Sequence, residues 1–197
     1  MVSLITGGWS QARIPVNEPN TGTTTKPNNP PPTNQGNTNS GSGSSSDLKK
    51  YSDPQGRFTI GYPGDWKFDD KSDNAIIKIT SPSEGADDKF TQNVNLQIET
   101  LANGATIEDY VKTNMDGVKS LVKGYREVSA MYFNRNGGKA YQITYKGKYG
   151  EMTYEIQVRQ LFCVSNGKGY VLTYVSKEDE RDAYETTANK IFNSFKY

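Results

Sequence analysis

Asn93-Val-Asn-Leu-Gln-Ile-Glu99 alternates polar and apolar residues without a break, and a few residues later Thr106-Ile-Glu-Asp109 opens a different pattern. In the first stretch Val94, Leu96 and Ile98 point one way, and Asn93, Asn95, Gln97 and Glu99 point the other. That is the period of a half-buried strand. In the second, a hydroxyl stands before two acids, which is how a helix N-terminus is capped and charged. Ile107, Val111, Val118 and Val122 then recur at helical spacing, with Met115 and Leu121 beside them, and Gly124 is placed to end the helix. A strand that shows one face to a core and a helix that shows one stripe require each other, so the fold class is α+β.

The same reading extends in both directions. Asp53-Pro54-Gln55-Gly56 is a turn in which Pro presets φ and Gly takes the positive-φ position. Phe58, Ile60 and Tyr62 share a strand face, Pro63-Gly64-Asp65 breaks it, and Trp66 and Phe68 restart it. Ala75, Ile77 and Ile79 share the next face. Val128 to Phe133 reads as a strand, and Asn136-Gly137 as a tight hairpin turn into Tyr141, Ile143 and Tyr145. Met152, Tyr154, Ile156, Val158 and Phe162 form a long strand face interrupted by Gln160. Asn166-Gly167 turns the chain into Tyr170 to Val175. Ser176-Lys-Glu-Asp179 reads as the cap of a last helix whose seam is Tyr184, Ala188, Ile191 and Phe195. The expected architecture is an antiparallel sheet of about six or seven strands with two main helices packed on it.

Asp53-Pro-Gln-Gly-Arg-Phe-Thr-Ile-Gly-Tyr-Pro-Gly-Asp-Trp66 resembles the opening hairpin of PsbP-like domains, with their aromatic strand and Tyr-Pro-x-x-Trp corner. Lys190-Ile-Phe-Asn-Ser-Phe195 resembles the terminal helix of that family, which ends in a Ser-Phe pair. The resemblance covers nearly all of residues 50 to 197. It implies the α/β/α sandwich shared with Mog1-like and DcrB-like proteins, and a role as an accessory or binding protein, often exported as a lipoprotein in bacteria. The matching positions are fold positions, so the resemblance assigns no functional residue. Trp66 and Phe195 read as core anchors.

Before residue 48 the chain changes character. Residues 20–47 hold Pro30-Pro31-Pro32, many Asn and Thr, and a Gly/Ser run from Gly41 to Ser46. With almost no apolar side chains, nothing offsets the entropy of ordering, and the tract is expected to be a flexible linker. At about 3 Å per residue its extended length is several tens of Å. Residues 1–19 form a separate segment in which Trp9, Ile14 and Val16 are candidates for docking on a partner. Ile5-Thr6-Gly7 resembles the end of a bacterial lipobox, with Gly8 where the lipidated cysteine would stand. The alternatives are a lipid-anchored native form and an ordinary frayed terminus. The globular domain is expected over residues 48–197.

The chain carries no histidine, one cysteine and a formal net charge of +1. Without histidine, the commonest general base and metal ligand is missing. Cys163 can form neither an internal disulfide nor a thiolate zinc cluster. The near-neutral balance gives no electrostatic footprint for nucleic acid, and no apolar run is long enough to span a membrane. Asp69-Asp70 and Asp87-Asp88 lack the spacing of a calcium loop and read as solvated turns. Glu178, Asp179, Glu180 and Asp182 read as acids at a helix start. The expectation is therefore a protein with no catalytic residues, no metal and no cofactor, working through a protein partner or a membrane-associated assembly. The residues singled out for binding are Gln142, Thr144, Glu155, Gln157 and Arg159. They form the polar side of the central strands, read either as a solvated face or as a recognition strip in which Glu155 and Arg159 meet a partner's charges.

Overall fold

The computed structural model describes residues 48–72, 75–83, 85, 90–178 and 181–197. Trp9, Ile14, Val16, the 20–47 linker, Asp87, Asp88, Asp179 and Glu180 lie outside the described residues, as does the side chain of Asp182.

Nine strands and two helices form the described part. A hairpin of β1 (Lys49–Ser52) and β2 (Thr59–Tyr62) opens the domain. The remaining strands build one antiparallel sheet. They are β3 (Lys67–Asp69), β4 (Ile77–Thr80), β5 (Asn93–Thr100), β6 (Val122–Arg135), β7 (Gly138–Tyr149), β8 (Ile156–Ser165) and β9 (Lys168–Lys177). Their order across the sheet is β3-β4-β5-β9-β8-β7-β6. Helix α1 (Ile107–Leu121) packs on one face, and α2 (Arg181–Ser194) with the β1-β2 hairpin packs on the other. The expected count of strands, the two helices and the sandwich are all present.

Local chemistry explains the joints. Thr106 Oγ1 accepts the Asp109 N–H at 3.1 Å while Asp109 Oδ2 accepts the Thr106 N–H at 3.3 Å, a reciprocal cap on α1. Asn136-Gly137 and Asn166-Gly167 both hold two successive positive φ values, 48° and 79° in the first and 50° and 69° in the second. This is the backbone that fits a two-residue turn to the twist of antiparallel strands.

The core is split by the sheet. On the α2 face Ile77, Ile79, Val94, Leu96, Leu161, Leu172 and Tyr174 meet Phe58, Ile60, Trp66, Ala188, Ile191, Phe192 and Phe195. On the α1 face Ile143, Tyr145, Ile156, Val158, Phe162, Val171 and Val175 meet Tyr110, Val111, Met115 and Val118. Trp66 and Phe195 are buried in the first cluster, Trp66 edge-on to Tyr184. Fully burying a large aliphatic or aromatic side chain contributes roughly 1.5–3 kcal/mol, so these two layers fix the sandwich.

Several boundaries differ from the sequence reading. Helix α1 ends at Leu121, and Val122 is already the first residue of β6. Gly124 does not end the helix. It sits inside β6 at φ 67°, where the pairing with β7 shifts register between Lys123 and Arg126, as a bulge requires. Strand β6 spans Val122–Arg135 and so extends well past both ends of the expected 128–133. Strand β8 starts at Ile156, which leaves Met152 and Tyr154 in the preceding turn. Ser176 is not a helix cap, because it is the buried penultimate residue of β9. Asn93 and Asn95 are buried rather than solvated, since β5 is an interior strand and places them opposite Val175 and Thr173 of β9.

Candidate functional site

The register of the sheet places Phe68, Ile79, Val94, Tyr174, Arg159, Thr144 and Ser129 in a single row running from β3 to β6. All face the α2 side. The row is apolar from Phe68 through Val94, changes character at Tyr174, and is polar from Arg159 outward. The next row repeats the switch, with Ile77, Leu96, Leu172 and Leu161 followed by Gln142 and Met131. Helix α2 packs beside β2 and over β9 on this face, and the β6-β7 end is left open.

At that end is an open groove of about 390 Å³. Its floor is formed by Gln142, Thr144, Gln157 and Arg159, its wall by Glu185 and Asn189 of α2, and its rim by Val128 and Ser129 of β6. Four of the five residues singled out from the sequence therefore meet in one place. Glu155 does not join them. It precedes β8 and accepts both Arg126 guanidinium nitrogens, at 2.9 and 2.8 Å. This exposed pair contributes little to stability.

Arg159 is committed inside the chain rather than free for a partner's charge. One nitrogen donates to Asn189 Oδ1 at 2.5 Å and another to the Glu185 carboxylate. The guanidinium also lies 5.5 Å from the Phe192 ring and 5.8 Å from the Tyr174 ring, measured to the centroids. Burial lowers its pKa from the ordinary arginine value, yet it stays protonated at neutral pH. Gln157 is only 7% exposed, and its Oε1 has no donor among the described residues. Glu185 Oε2 likewise has no donor. Gln157 therefore does not lie on a solvated face.

A second arginine, which the sequence reading missed, fixes the other end of α2. Arg135 reaches from the end of β6 to the carbonyls of Phe192 and Phe195, at 2.5 and 2.8 Å. It thereby satisfies carbonyls that a helix C-terminus leaves unpaired. Glu185 and Asn189 were missed as well. Their i,i+4 spacing on α2 is the one signal in the sequence that both face the same strand.

Burial pushes the Cys163 thiol up to about 11, so it is kept protonated and unreactive at neutral pH. Among the described residues no group of three His, Cys, Asp or Glu side chains is placed to hold a metal ion. Asp69 Oδ1 accepts the Lys71 N–H at 2.9 Å, an ordinary turn contact. Among the described residues no helix is long and apolar enough to cross a membrane.

The family described as PsbP-like protein matches residues 21–197. No curated protein matches the chain by sequence. Solved structures do. Cyanobacterial PsbP (CyanoP) from Synechocystis is 18% identical with a TM-score of 0.53, over 80% of this chain and 98% of that one. LpqN of Mycobacterium tuberculosis, described as involved in cell envelope biogenesis, is 16% identical with a TM-score of 0.55, over 77% and 85%. The Saccharomyces cerevisiae Ran-binding protein Mog1p is 8% identical with a TM-score of 0.51, over 76% and 95%. At these identities the likeness is one of fold.

Proposed function

This chain belongs to the PsbP-like protein family, and from that premise we propose that it is a non-enzymatic accessory module that works by binding. It is held at the outer side of a bacterial membrane by its N-terminal leash and docks to a larger protein assembly or an envelope component. The observation that carries this reading is the polar groove left open on the α2 face between Thr144, Gln142 and the helix. An antiparallel sheet face that is apolar under its cover and polar beyond it is built to stay exposed, and this one is concave. The composition of residues 20–47 supports the leash, because a tract without apolar side chains spans distance and does not pack. One structural relative is described as Ran-binding, which agrees with a binding role, and another as involved in cell envelope biogenesis, which agrees with a place at the envelope.

The second reading makes the domain a passenger, with residues 1–19 docking through Trp9, Ile14 and Val16. One experiment separates the two. The full chain, a variant carrying Gln142→Ala and Thr144→Ala, and a variant lacking residues 1–19 are each cross-linked in intact cells. Association lost in the first variant and kept in the second supports the groove. The reverse supports the N-terminal segment. If both variants keep every association, the strip is surface only.

A further inference from the structure

The geometry points to the groove between α2 and strands β6–β8 as a binding site for a neutral, polyhydroxylated ligand, a saccharide unit. This rests on the reading of the groove as the binding surface and gives the envelope component a chemical class.

Charge narrows the ligand first. Among the described residues that line the groove there is one cation and one anion, Arg159 and Glu185, and they are bonded to each other. An anionic ligand would find no free cation among these residues, and a cationic one would meet a carboxylate already neutralised. A neutral ligand costs no broken ion pair, whereas leaving either charge alone in a buried place is costly.

Hydrogen-bonding capacity narrows it further. Among the described residues Gln157 Oε1 and Glu185 Oε2 have no donor, and both atoms are closed to solvent. An unpaired buried acceptor is costly, so the polar lining here is short of donors rather than of acceptors. Asn189 Oδ1 is taken by Arg159, which leaves its amide N–H groups to donate. The Gln142 amide and the Thr144 and Ser129 hydroxyls also line the space. The groove therefore offers both acceptors and donors. A hydroxyl both donates and accepts, so vicinal hydroxyls satisfy such a lining, while an apolar group satisfies none of it. Val128, 50% exposed, stands at the rim, and Met131, 58% exposed, projects from the same strand to the same side; they offer apolar cover to the C–H face of a sugar ring. The volume is at the lower end of the range for small-molecule sites.

The test uses the full ¹⁵N-labelled chain and follows the side-chain N–H signals of Arg159, Gln142, Gln157 and Asn189. The probes are glucose, N-acetylglucosamine and their β-linked tetramers, with glucose 6-phosphate and spermidine as charged controls. A neutral sugar should shift these four side chains at millimolar concentration. Affinity that rises with chain length identifies a glycan strand, and affinity unchanged by length identifies a free sugar. Gln157→Leu and Thr144→Val should each weaken binding several-fold to about tenfold. The wild-type titration stands by itself if a variant fails to fold. The inference is overturned if no neutral sugar moves these signals, or if glucose 6-phosphate or spermidine moves them as strongly. If sugars are inert but the groove variants still abolish cellular association, the saccharide assignment fails and the docking surface stands. If sugars bind but association is unchanged, the saccharide assignment stands and the docking surface fails.

Discussion

Arg159 of β8 is bonded to Glu185 of α2, and the bond joins strand to helix where apolar packing between them ends. On one side of Arg159 lie Tyr174, Val94 and Ile79 under the layer of α2 and the β1-β2 hairpin; on the other lie Thr144 and Ser129 in the open groove. The pair both anchors the helix and joins the floor of the site to its wall. Glu185→Ala leaves a buried guanidinium with Asn189 alone. The Glu185 side chain is 36% exposed, so solvent moderates the loss, which should be about 1–3 kcal/mol. Arg159→Met, an apolar near-isostere, should cost less than Glu185→Ala. Urea midpoints of the two variants give the comparison, and equal or reversed losses would show that the pair does not hold the helix.

Tyr110 of α1 lies directly over Gly169 of β9. A methyl group built on Gly169 would meet the Tyr110 ring at 2.4 Å, so Gly169→Ala should push the helix outward and cost about 1–3 kcal/mol. Adding Tyr110→Leu should make the effect of Gly169→Ala much smaller, and the double-mutant cycle measures that coupling. Strict additivity would mean that the ring moves aside freely.

Asp53 closes the first turn of the domain. Its carboxylate accepts the Arg57 backbone N–H at 3.0 Å, Arg57 Nε at 2.8 Å and a second guanidinium nitrogen at 2.8 Å. The Arg57 side-chain bonds hold the carboxyl below its ordinary value of 3.8. A folded-state pKa that is depressed gives stability present above the unfolded value and lost as pH falls through the folded one. Asp53→Asn should cost about 1.5–3 kcal/mol at neutral pH. It should also flatten the decline in stability below about pH 4. Urea titrations at acidic and neutral pH test both parts, and an unchanged acid slope would count against this role.

Burial acts in the opposite direction at high pH. It pushes the Cys163 thiol from 9.0 up to about 11, and the Tyr174 and Tyr125 phenols from 10.0 up to about 12. Each folded value is raised, so the contribution is complete below the unfolded value and is lost as pH rises through the folded one. Stability should be level through neutral pH and fall from about pH 9 upward. A fraction of the 13 tyrosines should ionise only together with unfolding. Tyrosinate absorbance and tryptophan fluorescence followed in parallel would show this, and complete tyrosine ionisation of a still-folded protein would contradict it.

Removing the hydroxyl of the α1 cap, Thr106→Ala, should cost about 1 kcal/mol. Because Thr106 also orients Asp109, Thr106→Ser should restore most of the loss. Thermal unfolding of the two variants decides, and equal losses would mean that the methyl group, not the hydroxyl, matters.

Much of this architecture was legible residue by residue. Asn136-Gly137 and Asn166-Gly167 turn where their side chains tolerate positive φ, and Thr106 caps where its hydroxyl reaches the third residue on. Ala188 and Ile191 are buried as helical spacing implies, and Phe195, expected on the same seam, is buried just past the end of α2. Boundaries were less legible. Val122 continues the apolar stripe of α1, yet it belongs to β6, since a buried valine satisfies either element. Gly124 reads equally as a helix stop and as a bulge.

The site was half legible. Alternation alone put Gln142, Thr144, Gln157 and Arg159 on one side of their strands, and pairing through β7 and β8 did bring them together. Alternation reports which way a side chain points, and nothing about what covers it. The burial of Gln157 and Arg159, and the commitment of Arg159 to Glu185 and Asn189, depend on where a helix 26 to 30 residues later in the chain comes to rest.

The sequence by itself determined the strands, the turns, the two helices and the side of the sheet that each residue takes, because these follow from bond geometry and the spacing of apolar residues over a few positions. Only the tertiary structure decided where α2 stops covering the sheet, and so which polar residues became wall, floor or open groove. That outcome is set by contacts between residues far apart in the chain, which no local pattern encodes.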